Sequence, residues 1–288
     1  MRFAALGVLL CVAAQNSTAP ARPAIVGLAH VRVQTSDLVK ARAFYSQLLG
    51  FSGLRWDPRA GVAVFSVNAR QRVIVMGGLP ADRDERLMDL AFETASLTAM
   101  REWLASHGLQ PSPATEDPDA AGRAVSVSDP GGHTILFVEP DAPPSSPAPS
   151  GSANQLSKRM LHAGLTVRDA AAADRFYKDV LGFSEIWRGG RTDDVTSWIN
   201  MRVPDGTDYL EYMLQSGPST RRQLGVDHHI ALLVPDIQEA LERVRARTAP
   251  DDPNHRSTPQ IGRNNRWQLN LYDPDGTRVE LMEPWTVR

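Results

Sequence analysis

The chain has 288 residues, enough for two domains of ordinary size, and its 42% hydrophobic content suits a folded globular protein. A formal net charge of −2, with no long run of lysine or arginine, excludes the electrostatic footprint of a protein that binds nucleic acid or an anionic membrane surface. Small molecules are the expected partners, acting on a monomer or homodimer.

The chain opens with Arg2 before an apolar stretch from Phe3 to Ala14, which gives way to small and polar residues. That stretch is too short to span a bilayer as a helix, and Val12 and Ala14 put small side chains where a signal peptidase requires them. Residues 1–22 are therefore read as a secretory signal and leader, which predicts a periplasmic or secreted protein with no membrane attachment after cleavage. Cleavage after Ala14 removes Cys11, the only cysteine, and leaves no thiol for a disulfide or for cysteine catalysis.

Beyond the leader the chain says the same thing twice. Residues 29–51 read AHVRVQTSDLVKARAFYSQLLGF and residues 161–183 read LHAGLTVRDAAAADRFYKDVLGF. A shift of 132 carries His30 to His162, Asp37 to Asp169, Tyr45 to Tyr177 and Gly50 to Gly182. Each half also closes on a matching segment, DPGGHTILFVEP from Asp129 and DPDGTRVELMEP from Asp273. So many matches at one shift are a duplication. The halves are residues 24–140 and 158–288, and the Pro-, Ser- and Ala-rich stretch 141–157 between them reads as a linker.

Within the second half, His162 to Val167 is β-rich, and Asp169 then opens a helical stretch with Ala172, Phe176, Val180 and Leu181 on one face. Gly182 ends it. Strand-like runs near Phe183–Trp187, Thr196–Arg202 and Asp208–Leu214 follow, separated by turn signals. The cycle restarts at His228–Val234, with a helix over Asp236–Arg247 and strands at Trp267–Tyr272 and Thr277–Glu283. The unit is strand, helix, strand, strand, strand, and four such units fill the two halves.

The FYxxxLGF helix ends (Phe44–Phe51, Phe176–Phe183) and the DPDGxxxELxEP hairpin (Asp273–Pro284) resemble the vicinal oxygen chelate superfamily over nearly everything from Val26 to Pro284. This superfamily includes glyoxalase I, extradiol dioxygenases and bleomycin resistance proteins. The resemblance implies an α+β fold: two tandem domains, each of paired βαβββ modules curled into a cupped mixed sheet with flanking helices. It also implies a divalent metal ion inside a cup, and the glyoxalase I pattern falls on His162, Glu211, His229 and Glu280.

Residue chemistry supports that assignment separately. Alternation along a strand places His229 on one face with Ala231 and Leu233, and His228 on the other, so one histidine of the pair lines the cup. Two imidazoles with two carboxylates suit borderline ions such as zinc, nickel, iron, manganese or cobalt. A lone strand histidine is more often a hydrogen-bonded core residue; four candidate donors at matching positions of two related units shift the balance.

The first half departs from the pattern. His30 is kept, but Asp89 replaces the His229 position, Leu136 replaces Glu280, and no carboxylate matches Glu211. The first cup is therefore read as having lost its metal site, while Glu139 and Glu283, present in both halves, look structural. Modules pair either within a half or swapped between halves; a full donor set within one half makes the first arrangement more economical.

The reading that follows is a metal-dependent, glyoxalase-like lyase or isomerase acting on a small molecule that chelates the ion through two adjacent oxygens; the resemblance to glyoxalase I implies Glu280 or Glu211 as the base. One alternative is an extradiol ring-cleaving dioxygenase using His162, His229 and Glu280, with Tyr209, Tyr212 or His255 as acid or base. Another is a non-catalytic binding protein of the bleomycin-resistance type. Arg263, Arg266 and Trp267, in RNNRW, are candidates for meeting the substrate.

Overall fold

The structure is a computed structural model that describes residues 20–120, 122–141 and 154–287. Most of the predicted leader and most of the predicted linker lie outside the described residues. Among those described, no helix is long and apolar enough to cross a membrane.

Each half folds as two βαβββ units, as the repeat predicts. The first half runs β1 (Ile25–Gln34), α1 (Leu38–Arg42), β2 (Ser52–Asp57), β3 (Val62–Ser66), β4 (Arg72–Met76), β5 (Leu87–Thr94), α2 (Leu97–Ser106), β6 (Thr115–Asp117), β7 (Gly122–Ser128) and β8 (Thr134–Pro140). The second runs β9 (Met160–Val167), α3 (Ala170–Ala173), β10 (Ser184–Gly189), β11 (Trp198–Arg202), β12 (Tyr209–Leu214), α4 (Arg221–Asp227), β13 (Ile230–Leu233), α5 (Ile237–Arg247), β14 (Gln260–Ile261), β15 (Arg266–Tyr272) and β16 (Arg278–Thr286).

The two eight-stranded mixed sheets have equivalent orders, β2-β3-β4-β1-β5-β8-β7-β6 and β10-β11-β12-β9-β13-β16-β15-β14. Antiparallel pairing of β1 with β5, and of β9 with β13, joins two units within each half, so the modules are not swapped.

Local chemistry sets the unit boundaries. Asp37 caps α1 by accepting from the N–H groups of Val39 and Lys40, and Asp169 caps α3 from Ala172 N–H. Both helices run on as π-helices, Ala43–Leu48 and Asp174–Val180, which bury the adjacent aromatic pairs Phe44–Tyr45 and Phe176–Tyr177. Gly50 and Gly182 then reverse the chain at φ 77° and 80°, where any other residue is strained. Glu139 and Glu283 accept from the first N–H groups of α2 and α5, at Leu97 and Ile237, which accounts for their presence in both halves.

Two expectations need correction. The halves do not bury separate cores: one continuous apolar cluster runs through both, with Phe92 of the first packed edge-on to Phe183 of the second. The linker also ends early. Gln155, Leu156 and Ser157 are buried, and Leu156 N–H bonds the Leu49 carbonyl, because one leucine and two side-chain hydrogen-bonding groups are enough to dock a short segment.

Candidate metal centre

Four adjacent strands of the second sheet, β12, β9, β13 and β16, bring the predicted donors together. Glu211 on β12 lies opposite Gly164 on β9, His162 on β9 opposite Ala231 on β13, and Ala231 opposite Glu280 on β16. His229 sits immediately before β13 and is tied to β9 by the bond from Gly164 N–H to its carbonyl. Gly164 is a packing requirement: a Cβ there would stand 2.0 Å from His229 Nδ1.

The side-chain tips converge. The two imidazole Nε2 atoms are 2.9 Å apart, and a Glu280 oxygen lies 3.6 Å from each. Glu211 Oε2 is 3.3 Å from His229 Nε2 and 3.8 Å from His162 Nε2. His162, His229 and Glu280 are all buried, and Glu211 is half-buried. The carboxylate contacts are too long for good hydrogen bonds, so these groups surround a common centre instead of bonding one another.

Electrostatics make a cation the natural occupant. Burial pushes His162 down to about 3, against the pull of Glu211, and holds His229 well below the usual imidazole range. Burial raises Glu280 to about 7; Arg278 opposes the rise and the neighbouring Glu211 charge adds to it. Neutral rings are the form in which imidazoles bind a metal, and a cation between the two glutamates would offset the charge crowding that raises Glu280.

The tautomer of His229 matters. Its Nδ1 is 2.8 Å from Arg278 Nη2 and 3.1 Å from the Asp227 carbonyl. If Nδ1 accepts from Arg278, the ring proton sits on Nε2 and points at His162. If Nδ1 donates to Asp227, both Nε2 lone pairs face the centre. Tyr209 stacks on His162 with ring centroids 4.5 Å apart and fixes that ring's plane.

A cavity of about 290 Å³ opens over Glu211 and Glu280, walled by Trp187, Trp198, Arg278 and Arg263. Arg263 therefore reaches the site, ion-paired to Asp193. Arg266, on β15, acts on His162 and Tyr209 through its charge from across the cup. Trp267 does not reach the cup. Alternation along β15 turns it with Leu269 to the other face, where it packs on the apolar core, and its substrate role is withdrawn. Tyr212 is likewise buried on the core side beside Tyr177, and His255 is bonded to Thr248, away from the cavity lining.

The first cup is built differently. His30 Nε2 meets Asp89 Oδ1 at 2.8 Å, Arg32 Nη1 donates to Asp89 Oδ2 at 2.9 Å, and Arg32 Nη2 donates to Asp117 at 2.5 Å. Arg32 holds the position equivalent to Gly164, and its guanidinium stands among the acids as a fixed cation. Ile74, opposite Arg32, takes the place of Glu211, and Leu136 joins Ala29 and Ala91 in a small apolar patch. Asp89 and Leu136 thus stand where the second cup has His229 and Glu280, and Arg32 lies among the acids of the first cup.

Comparison with known proteins agrees with the architecture. A curated relative, the uncharacterized protein YwbC of Bacillus subtilis, is 35% identical over 82 residues, which is 28% of this chain and 65%, less than two thirds, of that protein. The fold is similar to that of the 2,3-dioxygenase LapB of Pseudomonas sp. KL28, at TM-score 0.68 and 17% identity over 91% of this chain and 93% of that one. It is also similar to homoprotocatechuate 2,3-dioxygenase of Arthrobacter globiformis, at TM-score 0.68 and 21% identity over 91% and 80%. At such identities the likeness is one of fold. The sequence profile of one family matches twice, over residues 27–137 and 159–281, once for each cup. The chain therefore belongs to the Glyoxalase/Bleomycin resistance protein/Dioxygenase superfamily.

Proposed function

We propose that the second cup holds one divalent ion through His162, Glu211, His229 and Glu280, and that the protein is a lyase or isomerase moving a proton on a small molecule with two adjacent oxygens. The observation that carries this reading is the place of Glu211, whose carboxylate meets both imidazoles at 3.3 and 3.8 Å as a fourth donor. The ion would supply Lewis acidity, stabilising the negative charge left when a carbon-bound proton departs.

The protein's own groups do the rest. Glu280, buried 3.6 Å from both imidazoles, is the carboxylate placed to take a proton on one oxygen and return it. The Asp227 carbonyl is the acceptor that would hold the His229 ring proton on Nδ1 once the Arg278 contact gives way, and Tyr209 keeps His162 in plane. Trp187 and Trp198 wall the cavity with apolar surface, and Arg278 presents a guanidinium at its base.

A second reading, extradiol ring cleavage, is favoured by the fold likeness to two dioxygenases over 91% of the chain. One feature weighs against it: Glu211, 3.3 Å from His229 Nε2, stands where the substrate or dioxygen would bind. Of its acid–base candidates, Tyr212 and His255 lie away from the cup and Tyr209 stacks on His162 within it. Residues 1–22, read as a signal, support placing this chemistry outside the cytoplasm.

The test is metal analysis of the purified protein beside His229→Ala and Glu280→Ala. One ion per chain in the parent, lost in both variants, is expected. The zinc- or nickel-loaded protein should then exchange the carbon-bound proton of an α-hydroxyketone probe in heavy water, losing that exchange in Glu280→Gln. Oxygen uptake with catechol by the ferrous protein, without such exchange, would put ring cleavage first.

A further inference from the structure

The two halves meet along a pair of seams related by the internal repeat, and the seams differ. In both, the aspartate that opens the closing hairpin accepts a hydrogen bond from the tyrosine of the other half. Tyr45 donates to Asp273 at 3.3 Å, and Tyr177 donates to Asp129 at 2.9 Å. Two residues further on, Asp275 fills the first seam. Its carboxylate accepts from Thr35 Oγ1 at 2.6 Å, Ser36 N–H at 2.9 Å and Ser36 Oγ at 2.7 Å.

In the second seam the position of Asp275 is held by Gly131, which has no side chain, and that of Ser36 by Arg168. One seam has an anion built in; its counterpart has lost the anion and gained a cation. A cavity of about 450 Å³ opens there, lined by Gly131, Arg168 and Arg83 together with the apolar Leu87, Met88 and Leu224.

The acids on its wall are already engaged. Glu85 accepts from Leu87 N–H and pairs with His228 Nδ1 at 2.7 Å, Asp129 pairs with His133 Nδ1 at 3.0 Å, and Asp169 caps α3. The guanidinium groups of Arg83 and Arg168 make no hydrogen bond or ion pair to any described residue. Arg83 and Arg168 are thus the lining charges without a side-chain or backbone partner among the described residues, two cations beside an apolar wall.

We propose that this seam is a second ligand site, distinct from the metal cup, that takes a small amphipathic carboxylic acid. Its carboxylate would sit by Arg168 where the Asp275 carboxylate sits in the other seam, and its hydrocarbon body would lie on Leu87, Met88 and Leu224. The wall behind it continues through Thr166, whose hydroxyl lies 3.2 Å from His133 Nε2 and 2.9 Å from His228 Nε2.

The test is calorimetric titration of the full-length protein with hexanoate, 1-hexanol and sulfate. Hexanoate should bind, with at least tenfold weaker binding in Arg168→Ser and none in Arg168→Glu, while both variants keep the parental unfolding midpoint. Arg278→Ala, in the metal cup, should leave hexanoate binding unchanged. No hexanoate binding, equal binding of hexanol, or binding indifferent to both Arg168 variants would overturn the proposal. So would loss in Arg278→Ala alone, which would place the acid in the other cup, and full competition by sulfate, which would mean a bare anion site.

Discussion

The two cups share a fold and a duplicated sequence, and they solve one electrostatic problem in opposite ways. Each keeps a buried histidine on its central strand and a carboxylate within reach of it. In the first cup the balancing charge is covalent: Arg32 bridges Asp89 and Asp117. In the second, the equivalent residue is Gly164, a second histidine fills the space it leaves, and His162, His229 and Glu280 converge with Glu211 beside the two rings. The difference teaches that an arginine at this position fills the first cup with a fixed cation, whereas the glycine of the second leaves room for the His229 ring.

The largest expected effect tests that contrast directly. Removing either His229 or Glu280 should abolish stoichiometric metal uptake, whereas Asp89→Ala in the first cup should leave it at one ion per chain. Elemental analysis of the three variants decides it.

Next is Arg32→Met, which removes the cation between two mostly buried acids and leaves Asp89 with His30 and Asp117 with backbone N–H groups as partners. By analogy with other broken buried pairs it should cost about 3–5 kcal/mol in urea unfolding. The triple variant Arg32→Met, Asp89→Leu, Asp117→Leu should recover most of that loss. If the single change is silent, the fixed-cation account of the first cup fails.

A smaller effect is expected from Gly164→Ala. The added methyl must displace the His229 imidazole, so metal affinity should fall at least tenfold while stability falls by about 1–3 kcal/mol. The corresponding change in the first cup, Arg32→Gly, should leave the metal affinity of the second unaltered.

The smallest effect concerns pH and the paired seam aspartates. Burial holds Asp273 up at about 6, with the nearby Asp275 charge adding to the rise against the Thr277 and Asp275 N–H bonds. An acid whose folded pKa exceeds its unfolded value costs stability as pH rises from about 4 through about 6. Asp129 is buried too, but His133 overcomes that burial and holds it below the usual carboxylate range, so its contribution is lost as pH falls through the acid range. Asp273→Asn should therefore flatten the decline between pH 4 and 6, and Asp129→Asn should not; denaturant midpoints across that range give the answer.

Much of this was legible in the residues alone. The matching helix ends and closing hairpins exposed the four units, and the alternation around His229 correctly turned His228 away from the cup, to Thr166 and Glu85. The same alternation, applied to RNNRW, would have turned Trp267 into the core; its aromatic character drew attention away from its strand position. Gly164 gave no signal, since a glycine in a strand says only that something comes close and not what. Arg278 and Arg32 were invisible as site residues, because an arginine on a strand reads as solvated until its neighbours are known.

The repeat, the βαβββ units and the candidate donors His162, His229 and Glu280 were legible in the sequence, because periodicity, turn chemistry and side-chain type are local properties that survive without coordinates. Pairing of modules within each half, the single shared core, the cation bridging the first cup and the vacancy of an aspartate in one seam were decided only by tertiary structure. Each depends on which distant strands lie side by side, and that is set by packing summed over the whole molecule.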